Sequence, residues 1–109
     1  MSWIVTYLDE AVKDLSKLSK ERQKLALKAI NKVKENPLPN NEGGYGKPLG
    51  NVSGNNLTGL YKIKLRGEGL RIVYKLVRVQ NHMIIIIIGF RDDNEVYELA
   101  SQRRKKHNL

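Results

Sequence analysis

The residues whose types and spacing suggest chemistry are cations. In the run Tyr61-Lys62-Ile63-Lys64-Leu65-Arg66, basic side chains alternate with apolar ones, and Arg71 follows after Gly67-Glu68-Gly69. Gly67-Glu68 suits a two-residue type II′ hairpin turn with glycine first. That turn sets Arg66 opposite Gly69, Leu65 opposite Leu70, Lys64 opposite Arg71, Ile63 opposite Ile72 and Lys62 opposite Val73. Side chains alternate across a strand. One face then carries Tyr61, Ile63, Leu65, Leu70, Ile72 and Tyr74, and the other carries Lys62, Lys64, Arg66 and Arg71. Like charges directly opposite each other destabilise a sheet, so a chain shaped only for folding would place Glu or Thr at one of the two positions. A basic surface splayed into water is the plainer reading. Register, charge and spacing agree better with a face that binds an anion.

Phosphate chemistry is what such a face would serve. Cleaving RNA with its own 2′-hydroxyl needs a group to accept the 2′ proton, a group to protonate the departing 5′ oxygen, and cations for the charge building on phosphorus. Histidine and glutamate usually move such protons. Here His82 falls in an expected turn and His107 in the basic tail, where both read as surface residues. Lysine remains. A lysine crowded by cations is expected to have a lowered pKa, because each neighbour disfavours another positive charge. Lys64 is the most crowded and is the candidate base. Lys47, in a loop, is a lesser candidate for phosphate contact. No cofactor and no metal site is expected: Asp92, Asp93 and Glu95 are better explained by helix capping than by ligation.

The elements that must position these side chains are legible from periodicity. Residues 2–7 alternate as a short strand. Asp9 is the expected N-cap of a helix carrying Ala11, Val12, Leu15 and Leu18. Ser19 restarts a second helix with Leu25, Ala29, Ile30 and Val33 on one stripe, and Asn36-Pro37 stops it. Residues 36–59, rich in Gly, Asn and Pro, read as a long loop. Residues 60–66, 70–79 and 83–91 read as strands, with Gln80-Asn81-His82 as the second turn. A last helix begins at Asp92 or Asp93, with Glu95 in a capping box for the former and Val96, Leu99 and Ala100 as its apolar stripe. The expected class is α+β: a small antiparallel sheet, a helical hairpin on one face and a short C-terminal helix.

The chain as a whole sets the bounds. With 109 residues and 40% hydrophobic content, one globular domain over 1–109 is expected. The absence of cysteine removes disulfide and thiol chemistry and fits a cytoplasmic protein. Neither a secretory leader nor a membrane span is read: the longest apolar run, residues 83–88, is far too short. A net charge of +9 attracts polyanions, though Arg103, Arg104, Lys105 and Lys106 account for part of it as a basic tail.

These residues carry a resemblance. Tyr61-Lys62-Ile63-Lys64-Leu65-Arg66 with Gly69-Leu70-Arg71-Ile72-Val73-Tyr74, and Gly89-Phe90-Arg91 with Asn94-Glu95-Val96-Tyr97, resemble the RelE-type toxins of the RelE/ParE toxin–antitoxin superfamily. Element order agrees over most of the chain, and the loop at 39–58 is longer than in the best-known members. The resemblance implies a metal-independent, ribosome-dependent mRNA endonuclease that cuts in the decoding site and leaves a 2′,3′-cyclic phosphate. It implies functional positions at Lys62, Lys64, Arg71, Arg91 and Tyr97. Lys64 would be the general base, and Lys62 and Arg71 would stabilise the phosphorane. Arg91 would assist the leaving group, though an arginine is an awkward acid. Tyr97 would orient or stack on a base, with helix packing as its plainer role. Arg66 would bind backbone phosphate. The implied partners are the ribosome, its mRNA and a cognate antitoxin that covers the basic face or displaces the C-terminal helix. Promoter DNA is bound only through the antitoxin complex. Two other readings stand beside this one: a ParE-like inhibitor of DNA gyrase, and an RNA-binding module without catalysis.

Overall fold

The computed structural model describes residues 2–52, 54–65, 67–90 and 95–109. The order is β1 (Ile4–Tyr7), α1 (Asp9–Ser16), α2 (Lys20–Val33), β2 (Lys47–Pro48), β3 (Asn51–Val52), β4 (Asn55–Asn56), β5 (Leu60–Leu65), β6 (Leu70–Val77), β7 (His82–Phe90) and α3 (Glu95–Lys106). The main sheet runs β1-β7-β6-β5-β2, and β3 and β4 form a separate ribbon. The α+β class and the helical hairpin on one face are as expected. The sheet is mixed, however: β2, β5, β6 and β7 are antiparallel, while β1 pairs parallel to β7 from Ile4↔His82 to Tyr7↔Ile85. Most of the chain separates those two strands, so no tight turn dictates their relative direction.

Helix starts follow local chemistry, with one correction. Ser19 caps α2, its hydroxyl accepting from the Arg22 N–H at 3.2 Å. Asp9 is not the cap of α1 but its first residue. Leu8 holds the cap position because its N–H still bonds the Ile85 carbonyl at 3.0 Å, at the end of the sheet. Asp9 and Glu10 then place negative charge in the first turn, where the helix dipole favours it. Strand β6 is shorter than expected: Arg78–Gln80 coil into a 3-10 turn ended by Asn81 in the left-handed region at φ 49°, and His82 belongs to β7 rather than to the turn. The expected capping residues Asp92 and Asp93 lie outside the described residues.

Residues 36–59 are not a plain loop. They contain a 3-10 turn at Asn40–Glu42, the strand β2 and the β3–β4 ribbon. Buried Leu49 and Leu57 tie this segment to the sheet. The Tyr74 hydroxyl donates to the Pro37 carbonyl at 2.7 Å, and burial pushes its phenol above the ordinary range. Arg78 clasps Glu42 with bonds of 2.9 and 2.8 Å.

Both faces of the sheet are packed. Ala11, Ala26, Ile30 and Val33 of the helical hairpin cover Ile63, Ile72, Tyr74, Met83, Ile85 and Ile88. On the other face, Val96, Tyr97 and Ala100 of α3, with Leu49 and Leu57, cover Leu60, Val73, Ile86 and Ile87. The face expected to be basic is therefore half core. A register shift after Val73/Tyr74 skips Ile86, since Val73 pairs with Ile87 and Tyr74 with Ile85. This bulge explains why β7 is apolar without alternation: Ile86 and Ile87 both serve the second core, while Ile85 and Ile88 serve the first.

Candidate functional site

The β5–β6 hairpin holds the site in the register anticipated from its turn: Lys64↔Arg71, Ile63↔Ile72 and Lys62↔Val73. Gly67 and Gly69 are both left-handed, at φ +86° and +68°, and the Glu68 N–H bonds the Leu65 carbonyl at 3.3 Å, which puts Gly67 third in that turn and not first, as the type II′ reading had it. Arg66 lies outside the described residues, and with it the expected pairing to Gly69.

Strand β2 brings Lys47 opposite Lys62. Directly opposed residues share a face, so Lys47, Lys62, Lys64 and Arg71 project from the same side of the sheet. The loop reading made Lys47 a lesser candidate. A two-residue Lys-Pro strand has no periodicity to find, and its pairing depends on partners thirteen and fifteen residues away.

The cations differ in setting. Arg71 is 6% exposed, and its Nη1 donates to the Leu70 carbonyl at 2.9 Å. Gly89 stands beside it on β7. A methyl group at Gly89 would lie 3.2 Å from Val96 Cγ2, so α3 approaches the sheet closely next to the arginine. Lys62 and Lys64, both half-buried, line a groove of about 440 Å³ between α2 and the edge of β5. Lys47 lines it as well, with Lys32 and Tyr45, which the sequence pattern did not single out.

The remaining candidates divide. Tyr97 is 6% exposed and packs in the second core, which gives it the packing role in the free chain. Arg91 lies outside the described residues; Phe90, just before it, pairs with Leu70, one step along the ladder from Arg71↔Gly89. Of the histidines, the His82 Nε2 is 2.9 Å from Thr6 Oγ1 and the His107 Nε2 is 3.0 Å from Glu10 Oε2, and neither lines the groove of Lys62 and Lys64. Among the described residues no group of three or more His, Cys, Asp or Glu is placed to hold a metal ion. None of their helices is long and apolar enough to cross a membrane.

No protein-family model matches the chain. A RelE-like toxin protein of Escherichia coli is 31% identical over 105 residues, spanning 96% of this chain and 100% of that protein. The chain belongs to the RelE toxin family. A second RelE relative, the mRNA interferase toxin RelE of E. coli K12, is 28% identical and spans 94% of this chain and 98% of its own length. The structure resembles the free E. coli RelE toxin with two arginines replaced by alanine, at a TM-score of 0.74 and 26% identity over 94% of this chain and 98% of that one. It also resembles that RelE variant bound to an antitoxin peptide, at a TM-score of 0.68 and 26% identity over 92% and 95%.

Proposed function

We propose that this RelE-family chain is the toxin of a type II toxin–antitoxin pair and acts as a ribosome-dependent endoribonuclease that cuts mRNA in the decoding site. The observation that carries this reading is the placement of Lys47, Lys62, Lys64 and Arg71 on one face of the sheet. Its kinship with a named mRNA interferase supports it.

In the reaction, the 2′ oxygen bonds to the adjacent phosphorus and the bond from phosphorus to the 5′ oxygen breaks. The products are a 2′,3′-cyclic phosphate and a 5′-hydroxyl. Lys64 accepts the 2′ proton, and the positive charges beside it ready it to do so. Arg71, held in place by burial, and Lys62 balance the charge on the phosphorane. Arg91 assists the leaving oxygen, chiefly by charge, and that oxygen takes its proton from water. Lys47 and Arg66 hold backbone phosphate. Tyr97 orients a base, which asks α3 to shift from its packed position. These side chains supply the positive charge without a metal or cofactor.

The whole chain, 1–109, acts as one RelE-like domain in the cytoplasm. RelE of E. coli has been solved in an intact complex with its antitoxin RelB. A cognate antitoxin is the corresponding partner here, covering the basic face or displacing α3, and promoter DNA is reached only through that complex. In vitro translation followed by primer extension on the mRNA tests the reading. New 5′ ends inside codons at the decoding site are expected. Intact mRNA with inhibited supercoiling would mark a gyrase inhibitor, and arrest without cuts an RNA-binding module.

A further inference from the structure

Two residues that line the groove beside Lys64, Lys32 and Tyr45, have no part in the proposed reaction. We infer that Tyr45 is a stacking platform for an unpaired base of the RNA strand, with Lys32 and Lys47 holding the phosphates that flank it. The inference rests on the nuclease reading above and adds a nucleotide subsite to it.

Sites for single-stranded nucleic acid combine aromatic rings with a cationic track along the backbone. Both parts are present here. Tyr45 is 52% exposed, and the Lys32 ammonium lies over its ring, 5.4 Å from the centroid. The lysine takes one face of the ring, so a base stacks on the opposite face with a cation close by. Lys47 connects this end to the catalytic face, because it lines the same groove and pairs with Lys62 in the ladder.

A single exposed aromatic is common on protein surfaces, so the backbone that presents it matters more. The Tyr45 N–H bonds the Asn36 carbonyl at 2.9 Å, and Gly46 bonds Leu38 and Asn40 at 3.0 and 2.7 Å. A Cβ at Gly44 would collide with the Leu38 carbonyl, and one at Gly46 with the Tyr74 hydroxyl. Tyr45 is thus held outward between two positions where the fold has room only for glycine. Such a ring is preorganised, and stacking on it costs little ordering entropy.

Ribosome-programmed cleavage of mRNA by the full chain tests the subsite. Tyr45→Ala is expected to lower kcat/KM about tenfold, mainly through KM, from the loss of one base–aromatic stack. It should also flatten the base preference at one position flanking the cut. Tyr45→Trp should restore both, and Lys32→Ala should raise KM. Tyr45→Ala cutting with the wild-type kcat/KM and base preference overturns the inference, including where it weakens only antitoxin binding, which would mark a protein-contact site. If the wild-type chain itself leaves mRNA intact, the nuclease reading falls first and takes the subsite with it.

Discussion

Lys64 and Arg71 face each other across the β5–β6 ladder, and the arginine is 6% exposed while the lysine borders an open groove. Two cations in that relationship oppose folding, so the pair is held by the rest of the structure and not by mutual attraction. The asymmetry gives the two positions different mutational signatures.

Lys64→Ala should abolish mRNA cutting and leave the denaturation midpoint equal to or above wild type, since relief of cross-strand repulsion is worth roughly 0.2–1 kcal/mol. Arg71→Ala should lose cutting and also roughly 1–3 kcal/mol of stability, because the buried Leu70 carbonyl loses its guanidinium donor. Chemical denaturation of both variants checks the contrast. Full cutting by Lys64→Ala would remove the proposed base, and a large stability loss there would make the residue structural.

Asp14 and Arg103 govern the seating of α3. Asp14 accepts the Ile88 N–H at 3.1 Å, Arg103 donates to the Ile86 carbonyl at 3.0 Å, and the two are joined by bonds of 2.6 and 3.2 Å. They thereby pair backbone groups of β7 beyond the end of β1, whose pairing stops at Tyr7↔Ile85, and they link helices on opposite faces of the sheet. Asp14→Ala should cost about 2–3 kcal/mol, by stranding a mostly buried guanidinium and the Ile88 N–H. Hydrogen exchange in α3 should accelerate with it. A loss within experimental error would show that α3 is held by its apolar face alone.

Acid should weaken the end of α3. Bonds from His107, then from its own backbone and Lys106, hold the Glu10 carboxyl at about 2, below its ordinary 4.5. A folded value below the unfolded one means that the stabilisation is present above the ordinary carboxylate range and is lost as pH falls toward 2. The Arg78 guanidinium lowers Glu42 in the same direction. Urea midpoints for Glu10→Gln should therefore fall less steeply than wild type between pH 4.5 and 2. Parallel curves would count against the contact.

Gly46 should tolerate no side chain. Gly46→Ala forces a methyl group against the Tyr74 hydroxyl and within 2.9 Å of the Pro37 carbonyl, and should cost about 1–3 kcal/mol. Tyr74→Phe removes the first clash but not the second. The double variant should therefore be less destabilised than the sum of the singles, as a double-mutant cycle would read. Simple additivity would place the strain elsewhere.

Much of this protein follows from patterns a few residues long. The Gly67-Glu68 turn and the alternation beside it determine which side chains share a face, so the Lys64–Arg71 opposition is legible without coordinates. Ser19 and the apolar stripe after it likewise define α2. Tertiary structure decided the rest. Lys47 reaches the cationic face, and Tyr45 the groove, through a two-residue strand whose direction and partner are set by contacts remote in sequence. The parallel pairing of β1 and the bulge at Ile86 arise the same way, as does the second core that buries Tyr97. Local order is encoded by turn geometry and side-chain period, which neighbours share. The covering of a face depends on which distant apolar groups exclude water from it, and that is determined only when the whole chain packs.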